Sequence, residues 1–268
     1  MKVAGSTVLV TGANGGIGSA IARRMARAGV TVVLVSRDAV RLVELAVDLR
    51  ATGARAIALP ADLTKPGVPA AVIRDAVKHA GAIDILVNCA GIQNFGFFED
   101  EDAGDTAALF HVNTIAPMAL VQAVLPHMLE RNSGQIVNVG SIFGSIGFPC
   151  FASYSASKFA LRGFSEALRR ELAGRGVGVT YVAPRFTRTA FNGAAVVRMA
   201  DALKMGQDGP DAVAESVVSA IEQGDKERYL GWPEKLFVRI NALFPQLVDR
   251  PLAGQRRKML PFAAEARR

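Results

Sequence analysis

The chain has 268 residues, of which 50% are hydrophobic and 21% are charged, and its net charge is +7. A chain of this length and apolar content can bury the core of one large domain, so the composition excludes a disordered protein. The two cysteines, Cys89 and Cys150, stand in no metal-ligand spacing with each other or with the histidines, which argues against a metal site and a disulfide framework.

The strands and helices can be predicted in chain order from short β-branched apolar runs that alternate with helical patterns. The predicted strands are 7–12, 31–36, 55–60, 83–88, 134–141, 178–184 and 227–231, and the predicted helices are 17–28, 39–52, 67–80, 106–132, 152–173 and 211–223. Strands that are apolar throughout suit a parallel sheet buried on both faces. The alternation therefore predicts a single-domain, Rossmann-like α/β fold, a doubly wound parallel sheet of about seven strands with helices on both faces.

The positive charge is concentrated at the end of the chain. Residues 233–268 carry eight basic and three acidic side chains, a net charge of +5, which leaves +2 for residues 1–232. A nucleic-acid-binding domain would carry a basic surface on its folded body, so we expect no nucleic-acid partner. We therefore divide the chain into a domain, 1–232, and a basic amphipathic extension, 233–268.

A glycine-rich turn follows the first predicted strand. Residues 11–18 read TGANGGIG and lead directly into the first predicted helix. Glycines let the backbone turn tightly and approach a pyrophosphate, and the helix N-terminus supplies free N–H groups with a partial positive charge. A tight connection without a ligand would use similar glycines, but the position between a first strand and a first helix favours a dinucleotide site.

Tyr154 and Lys158, in the segment SYSASK, are four residues apart on a predicted helix and therefore share one face. Alone, this pair is typical of an ordinary helix surface. Together with TGANGGIG, the segment NCAG at 88–91 and the preceding Ser141, it occurs in the order found in short-chain dehydrogenases/reductases, and the chain resembles that family over residues 5–231. The resemblance implies an enzyme that transfers a hydride between a nicotinamide nucleotide and an alcohol or carbonyl group.

The resemblance also implies a role for each catalytic position. Tyr154 would exchange a proton with the substrate oxygen, and Lys158 would lower the pKa of this tyrosine and bind the nicotinamide ribose. Ser141 would hold the substrate oxygen. Asn113 would keep a water molecule linked to the lysine, unless it is only a polar residue inside a helix.

The cofactor-binding positions join the glycine turn to the ends of later strands. Asp62 would bond the adenine edge, or else serve as a turn residue, and the segment after the fourth strand would line the adenosine ribose through its backbone. The full set is Gly12, Asn14, Gly16, Ile17, Gly18, Ser36, Arg37, Asp62, Leu63, Asn88, Ala90, Gly91, Tyr154, Lys158, Pro184, Thr187 and Thr189.

Two positions depart from the family pattern. Cys89 stands where an asparagine is common, and we expect a small buried thiol without a catalytic role. Arg185 follows Pro184 where a glycine is usual, which leaves the backbone path open at this point. Thr189 still matches the threonine that helps to place the nicotinamide carboxamide.

The end of the second predicted strand bears on the choice of nucleotide. Asp38 comes about 20 residues after Gly18, a distance at which an acidic residue is typical of NAD sites. The strand TVVLVS ends at Ser36, however, so Asp38 fits better as the N-cap of the next helix. Ser36 and Arg37 would then offer a hydroxyl and a guanidinium to a 2′-phosphate, which favours NADP(H) over NAD(H).

Phenylalanines cluster in the segments that we expect to border the substrate. Each of them alone fits a core position equally well, but together they predict a small hydrophobic ketone, aldehyde or alcohol as the substrate. They are Phe95, Phe97, Phe98, Phe143, Phe148, Phe186 and Phe191.

The extension begins with apolar residues at 236, 237, 240, 243 and 244, a spacing that predicts an amphipathic helix, which Pro245 should kink or break. This stripe would cover the substrate mouth, a partner subunit in a homodimer or homotetramer, or a lipid surface. The chain starts in a strand pattern, and no run approaches the ~18 apolar residues of a membrane-spanning helix, so we expect a cytoplasmic protein with at most peripheral membrane contact.

Two other classes of function stay open. A nucleotide-sensing regulator or scaffold without turnover would usually show a broken Ser–Tyr–Lys set, and here the set is intact. A sugar-nucleotide epimerase or dehydratase shares the Tyr-x-x-x-Lys pair, but usually has a larger C-terminal substrate domain and a different glycine spacing.

Overall fold

The computed structural model describes residues 1–265. Arg267 and Arg268, two of the eight basic residues of the extension, lie outside the described residues. The elements in chain order are β1 (Thr7–Thr11), α1 (Gly16–Arg27), β2 (Thr31–Ser36), α2 (Ala39–Ala51), β3 (Ala56–Pro60), α3 (Val68–Ala80), β4 (Ile85–Asn88), α4 (Ala103–Phe110), α5 (Ala116–Glu130), β5 (Gly134–Val139), α6 (Ala152–Glu171), β6 (Val177–Ala183), α7 (Ala194–Ala202), α8 (Pro210–Gln223), β7 (Glu227–Tyr229), α9 (Glu234–Leu243) and α10 (Pro245–Glu265).

The seven strands form one parallel sheet in the order β3-β2-β1-β4-β5-β6-β7. Buried residues of α1, α2 and α8 cover one face, and those of α3, α5 and α6 cover the other. The doubly wound α/β fold is therefore confirmed. The strand order reverses between β1 and β4, and ligands of such sheets bind beside this point, at the carboxyl ends of the strands.

The predicted helix at 106–132 is interrupted. It consists of α4, a π-helical turn at His111–Ile115 and α5, and this turn carries Asn113. Contrary to expectation, Ala103–Glu130 is long and apolar enough to span a membrane. Leu120, Val124 and Met128 nevertheless pack in the core beneath the sheet, so α5 serves here as a core helix.

The extension forms two helices that fold back over the domain. α9 ends at Leu243 and α10 begins at Pro245, so the break at Pro245 is confirmed. Val238, Val248 and Met259 are buried against the domain, and Arg198 of α7 pairs with Glu265 at the end of α10 at 2.5 Å. The boundary at residue 232 stays a prediction.

Candidate active site

A cavity of about 710 Å³ opens at the carboxyl ends of β1, β2, β4, β5 and β6. It extends from the glycine-rich turn, past Tyr154, to the helices of the extension. The sequence-predicted positions that line it are Gly12, Asn14, Gly16, Ile17, Gly18, Ser36, Arg37, Asp62, Leu63, Ala90, Gly91, Ser141, Tyr154, Lys158, Pro184, Thr187 and Thr189. Asn88 and Asn113 do not line it.

The glycine-rich turn is packed so tightly that side chains would not fit. Gly12 has a φ of +63°, and a Cβ at this position would lie 2.8 Å from the Cα of Ala90. A Cβ at Gly18 would lie 2.2 Å from the carbonyl oxygen of Gly12. These glycines bring the turn, β1 and α1 into close contact, which is the backbone arrangement that a pyrophosphate needs.

The N-terminus of α1 faces the cavity with its N–H groups uncapped by side chains. Its N-cap residue, Gly15, makes no side-chain cap, and the first turn carries no acidic residue. The N-terminal N–H groups of a helix and its dipole bind anions. The turn therefore fits the diphosphate of a nicotinamide dinucleotide.

Around the end of β2, Asp38 has a structural partner. Its side chain accepts a hydrogen bond from the Arg41 backbone N–H at 3.1 Å, as the N-cap of α2, and pairs with the Arg41 side chain at 3.5 Å. The N-cap interpretation is thus confirmed. Ser36 donates to Asn14 at 2.5 Å, and Arg37 is exposed at the rim of the cavity.

The segment after β4 is held by a residue to which sequence reasoning gave no separate role. The hydroxyl of Thr11 accepts hydrogen bonds from the backbone N–H groups of Cys89 and Ala90, at 3.0 and 3.1 Å. Asn88 instead donates to Asn138 of β5 at 2.9 Å within the sheet, so its side chain ties β4 to β5. The expected contact of the Asn88 backbone with the adenosine ribose stays a prediction.

Asp62 begins a turn. Thr64 donates to it through both its N–H, at 3.1 Å, and its hydroxyl, at 2.7 Å, and these hydrogen bonds lower the pKa of the Asp62 carboxyl. The turn role is therefore present, and Asp62 also lines the cavity. Contact with an adenine edge stays a prediction.

Tyr154 and Lys158 lie on the first turns of α6, and both are buried. Burial raises the pKa of Tyr154 to about 12, which a hydrogen bond with Ser141 partly opposes. Burial lowers the pKa of Lys158 to about 8. The Lys158 ammonium donates to the Val139 carbonyl at 3.2 Å and lies 5.9 Å from the centre of the Tyr154 ring.

The expected lowering of the Tyr154 pKa by Lys158 stays a prediction. The group that lowers the tyrosine pKa is Ser141, and desolvation outweighs it. The ammonium instead opposes the rise in the pKa of Cys89, which burial brings to about 12. A thiol with such a pKa stays protonated near neutral pH and is a poor nucleophile.

Ser141 caps the short helical turn Ile142–Gly144, where its hydroxyl accepts from the Phe143 N–H at 3.1 Å. Its backbone is held by Tyr181 of β6, whose hydroxyl donates to the Ser141 carbonyl at 3.1 Å and accepts from its N–H at 3.3 Å. A Cβ at Gly140 would lie 2.2 Å from the Tyr181 ring. The sequence did not single out Tyr181, because a tyrosine in an apolar strand is typical of a core residue.

The side chain of Asn113 is used to brace the π-helical turn. It donates to the Ile92 carbonyl at 2.8 Å and the Ser157 hydroxyl at 3.1 Å, and accepts from the Ile92 N–H at 2.9 Å. It therefore fixes the loop after β4 against α6 from behind the cavity wall. A water relay to Lys158 stays a prediction, and this amide side chain is already committed to structural bonds.

The half of the cavity beyond Tyr154 is apolar. Phe143, Phe148, Phe186 and Phe191 line it, whereas Phe95 and Phe97 pack behind this wall. Phe98 is 65% exposed and lies away from the cavity. Sequence reasoning also missed α7, which contributes Val196 and Met199, and it did not identify the individual wall residues of the extension: Pro233, Glu234, Phe237, Ile240, Leu247, Val248, Pro251, Leu252 and Gln255.

Arg185, the second residue that departs from the family pattern, forms ion pairs with two carboxylates. Its guanidinium donates two hydrogen bonds to Asp208, at 2.8 and 3.0 Å, and one to Glu234 at 3.4 Å. The Asp208 carboxylate raises the pKa of Arg185 further. Arg185 therefore joins the loop after β6 to the segment before α8 and to the first residue of α9.

Comparisons with known proteins agree with this fold and site. The family model described as short chain dehydrogenase matches residues 6–199. A ketoacyl reductase, HetN, from Nostoc sp. is 36% identical over 253 residues, which cover 92% of this chain and 88% of the relative.

Two solved structures match almost the whole chain. A short-chain dehydrogenase/reductase from Burkholderia phymatum in complex with NAD has a TM-score of 0.85 and 28% identity, covering 92% of this chain and 96% of that chain. A short-chain dehydrogenase from Sphingobium yanoikuyae in complex with NADPH has a TM-score of 0.78 and 31% identity, covering 91% and 95%. The chain belongs to the short-chain dehydrogenase/reductase family and is an oxidoreductase that uses a nicotinamide nucleotide.

Proposed function

We propose that the protein is an NADP(H)-dependent oxidoreductase that reduces a hydrophobic ketone or aldehyde, or oxidises the matching alcohol. The observation that carries this proposal is that Ser141, Tyr154 and Lys158 border a single cavity between a dinucleotide-type glycine turn and an apolar wall. A bound nicotinamide would supply or accept the hydride.

Different side chains would donate the proton, bind the substrate oxygen and hold the cofactor. Tyr154, whose pKa is about 12, holds its proton near neutral pH and can donate it to a substrate oxygen. Ser141 would donate a hydrogen bond to the same oxygen and stabilise its developing negative charge. Lys158, anchored on Val139, would bind the ribose hydroxyls of the cofactor. Asn113 would act by holding the loop of residues 91 and 92 in place.

The preference for NADP(H) rests on Arg37. Its guanidinium is exposed at the cavity rim and forms no ion pair with another described residue, while Asp38 is occupied as a helix cap. A 2′-phosphate is a suitable partner for an unpaired guanidinium at the end of β2. The two solved relatives bind NAD and NADPH respectively, so they favour neither nucleotide.

The experiment that tests this function is a substrate screen with NADPH and NADP. The first compounds to try are 3-ketoacyl thioesters, since one relative is named a ketoacyl reductase, followed by apolar ketones and aldehydes. We expect oxidation of NADPH, followed by its absorbance, with at least one of them. A protein that binds NADPH tightly and turns over none of the panel would instead support the alternative, a catalytically silent nucleotide sensor or scaffold.

We also infer a homodimer or homotetramer in the cytoplasm. Ile115, Met118 and Phe159 are exposed on neighbouring surfaces of α5, the π-helical turn and α6, and such apolar groups are typical of subunit contacts. The two cysteines are unpaired thiols, which suits a reducing compartment. Residues 1–232 would form the catalytic domain, with 233–268 as an extension that closes the substrate side and can contact a membrane peripherally.

A further inference from the structure

The helix α9 turns most of its apolar stripe toward solvent. Leu236, Phe237, Ile240, Leu243 and Phe244 share one side by helical spacing, yet Leu243 is 71% and Phe244 58% exposed. Within the stripe, Ile240 packs against the domain cluster that contains Val238, and the other contacts that seat α9 on the domain come from another side. There Val238 is buried, and the Asn241 side chain donates to the Ser145 carbonyl at 2.9 Å.

Two more large apolar side chains enlarge this surface. Trp232, just before α9, is 71% exposed, and Leu247, in the first turn of α10, is 65% exposed. We define the apolar ridge as Trp232, Leu236, Phe237, Leu243, Phe244 and Leu247. An exposed group of this size marks an interaction surface.

The ridge is bordered by cations that lack counter-charges. Lys235, Arg239 and Arg250 are exposed, and none forms an ion pair within residues 1–265. Of the three acidic residues of the extension, Glu234 is already paired with Arg185 and Glu265 with Arg198, and the exposed Asp249 offsets only one of the cations. Further along α10 the run Arg256, Arg257 and Lys258 is also exposed. The surface therefore combines apolar bulk with an excess of positive charge.

We propose that the apolar ridge docks the protein on the surface of an anionic lipid bilayer. Tryptophan, phenylalanine and leucine beside lysine and arginine form the kind of helix that lies at the boundary of headgroups and acyl chains. A second copy of this chain is a poorer partner, because a two-fold contact through the ridge would bring the cations of both copies together.

The ridge also reaches the cavity. Phe237 and Leu247 belong to the ridge and line the cavity wall as well. A docked protein would thus turn the mouth of its substrate half toward the bilayer, where apolar compounds dissolve. This second step, the delivery of substrate from the bilayer, rests on the proposed function; the docking itself does not.

The test uses the full chain, without nucleotide or substrate, in sedimentation with two kinds of vesicle. One is pure phosphatidylcholine, and the other contains equal parts of phosphatidylcholine and phosphatidylglycerol. We expect binding to the anionic vesicles only, weakened by salt. Leu243→Gln combined with Phe244→Gln should reduce affinity about tenfold or more. Lys235→Gln combined with Arg239→Gln should reduce it about fivefold for each cation.

Matched variants elsewhere control for exposure and charge. Val43→Gln with Val47→Gln changes exposed apolar residues of α2, and Arg74→Gln with Lys78→Gln changes exposed cations of α3. Both should bind like the wild type, and all variants should melt at similar temperatures, because the substituted side chains are exposed. Equal losses in ridge and control variants, or no binding of the wild type, would overturn the proposal.

Two further outcomes would reassign the surface. A change of oligomer size in light scattering with the Leu243 and Phe244 variant, without vesicle binding by the wild type, would make the ridge a subunit contact. Vesicle binding that depends on Lys235 and Arg239 but not on Leu243 and Phe244 would indicate charge attraction alone. Because no turnover is measured, failure here leaves the proposed reaction untouched, and a silent enzyme that binds vesicles leaves the docking proposal standing.

Discussion

At the scale of single residues, burial shifts the protonation equilibria of Tyr154 and Lys158. Tyr154 and Lys158 are both removed from water, so each favours its neutral form more than it would in solvent. Burial therefore keeps Tyr154 protonated near neutral pH but makes it a weaker acid than a free tyrosine. Ionisable groups with strongly shifted pKa values, such as the buried Lys158 ammonium, are concentrated at functional sites.

Replacing Tyr154 by phenylalanine should remove turnover and leave nucleotide affinity nearly unchanged. The ring keeps its place among Phe143, Phe151 and Phe191, but the transferable proton is gone. General acid–base catalysis typically contributes about 10²–10⁴-fold to the rate. Steady-state rates and a fluorescence titration with NADPH would measure the two effects, and a variant with near wild-type rates would rule out this tyrosine as the acid.

Replacing Lys158 by methionine should stabilise the nucleotide-free protein at neutral pH while it damages activity. Burial lowers the lysine pKa from 10.5 to about 8, so at pH 7 the folded protein carries a desolvated ammonium at a cost of up to about 3 kcal/mol. Between about pH 8 and 10.5 the unfolded chain binds a proton that the folded protein does not. The free energy of unfolding of the wild type therefore rises with pH in this window.

The advantage of the methionine variant should accordingly shrink as the pH increases above about 8. Urea unfolding of both proteins at several pH values measures this difference. A variant that is less stable at every pH would show that the hydrogen bond to Val139 outweighs the desolvation of Lys158.

Replacing Arg37 by alanine should weaken the preference for NADPH mainly through its KM. A charge-assisted contact with a phosphate contributes about 1.5–3 kcal/mol, which corresponds to roughly ten- to a hundredfold. The KM for NADH should change little, which makes NADH the internal control. Equal use of both nucleotides by the wild type would mean that Asp38 acts at the ribose as well as at the helix cap.

At the scale of elements, the site depends on side chains that join segments distant in sequence. Tyr181 of β6 holds the backbone of Ser141, Asn113 holds the loop after β4, and Arg185 holds the start of α9. None of these residues needs to contact a ligand in order to affect the shape of the site. Each sets the position of an element that does line the cavity.

Arg185→Gly, which restores the usual residue of the family, should loosen the substrate side selectively. It leaves the carboxylates of Asp208 and Glu234 half-buried and unpaired, so we expect a loss of about 1–3 kcal/mol of stability and a higher KM for apolar substrates. The affinity for NADPH should be nearly unchanged, since the glycine turn lies on other elements. Arg188→Ala is a suitable control, because Arg188 is exposed, its guanidinium donates to Gln207 rather than to Asp208 or Glu234, and its pair with Asp201 is long, at 4.0 Å.

At the scale of the whole molecule, the extension lines the apolar half of the cavity. Deletion of residues 245–268, which removes α10, should abolish the turnover of large apolar substrates or greatly raise their KM. NADPH should still bind. Met259 is buried in the cluster that contains Tyr154 and Phe151, and its removal exposes that cluster to water. Activity assays and nucleotide titrations check this, and an unchanged KM would show that α10 is dispensable for binding.

The sheet and the nucleotide half of the cavity were predictable because their signals are local. The apolar runs place the strands, and TGANGGIG marks the turn with its glycines. The substrate half was less predictable, because its wall is assembled from separate segments. Periodicity places Leu236 and Phe237 on a helix, but it does not say that Val238 faces the domain instead. The pairing of Arg185 with Asp208 and Glu234 likewise joins residues whose separation in sequence hides their contact.

The order in which the elements around the cavity are synthesised has a consequence for the nascent chain. The glycine turn, Ser141, Tyr154 and Lys158 are all synthesised before α10, which covers the apolar side of the cavity. N-terminal parts of a chain generally fold first during synthesis. A polypeptide that lacks α10 would therefore retain a nucleotide pocket, and the apolar wall beside this pocket would be open to solvent. Such fragments would bind the cofactor while exposing apolar surface, so the loss of α10 would favour aggregation.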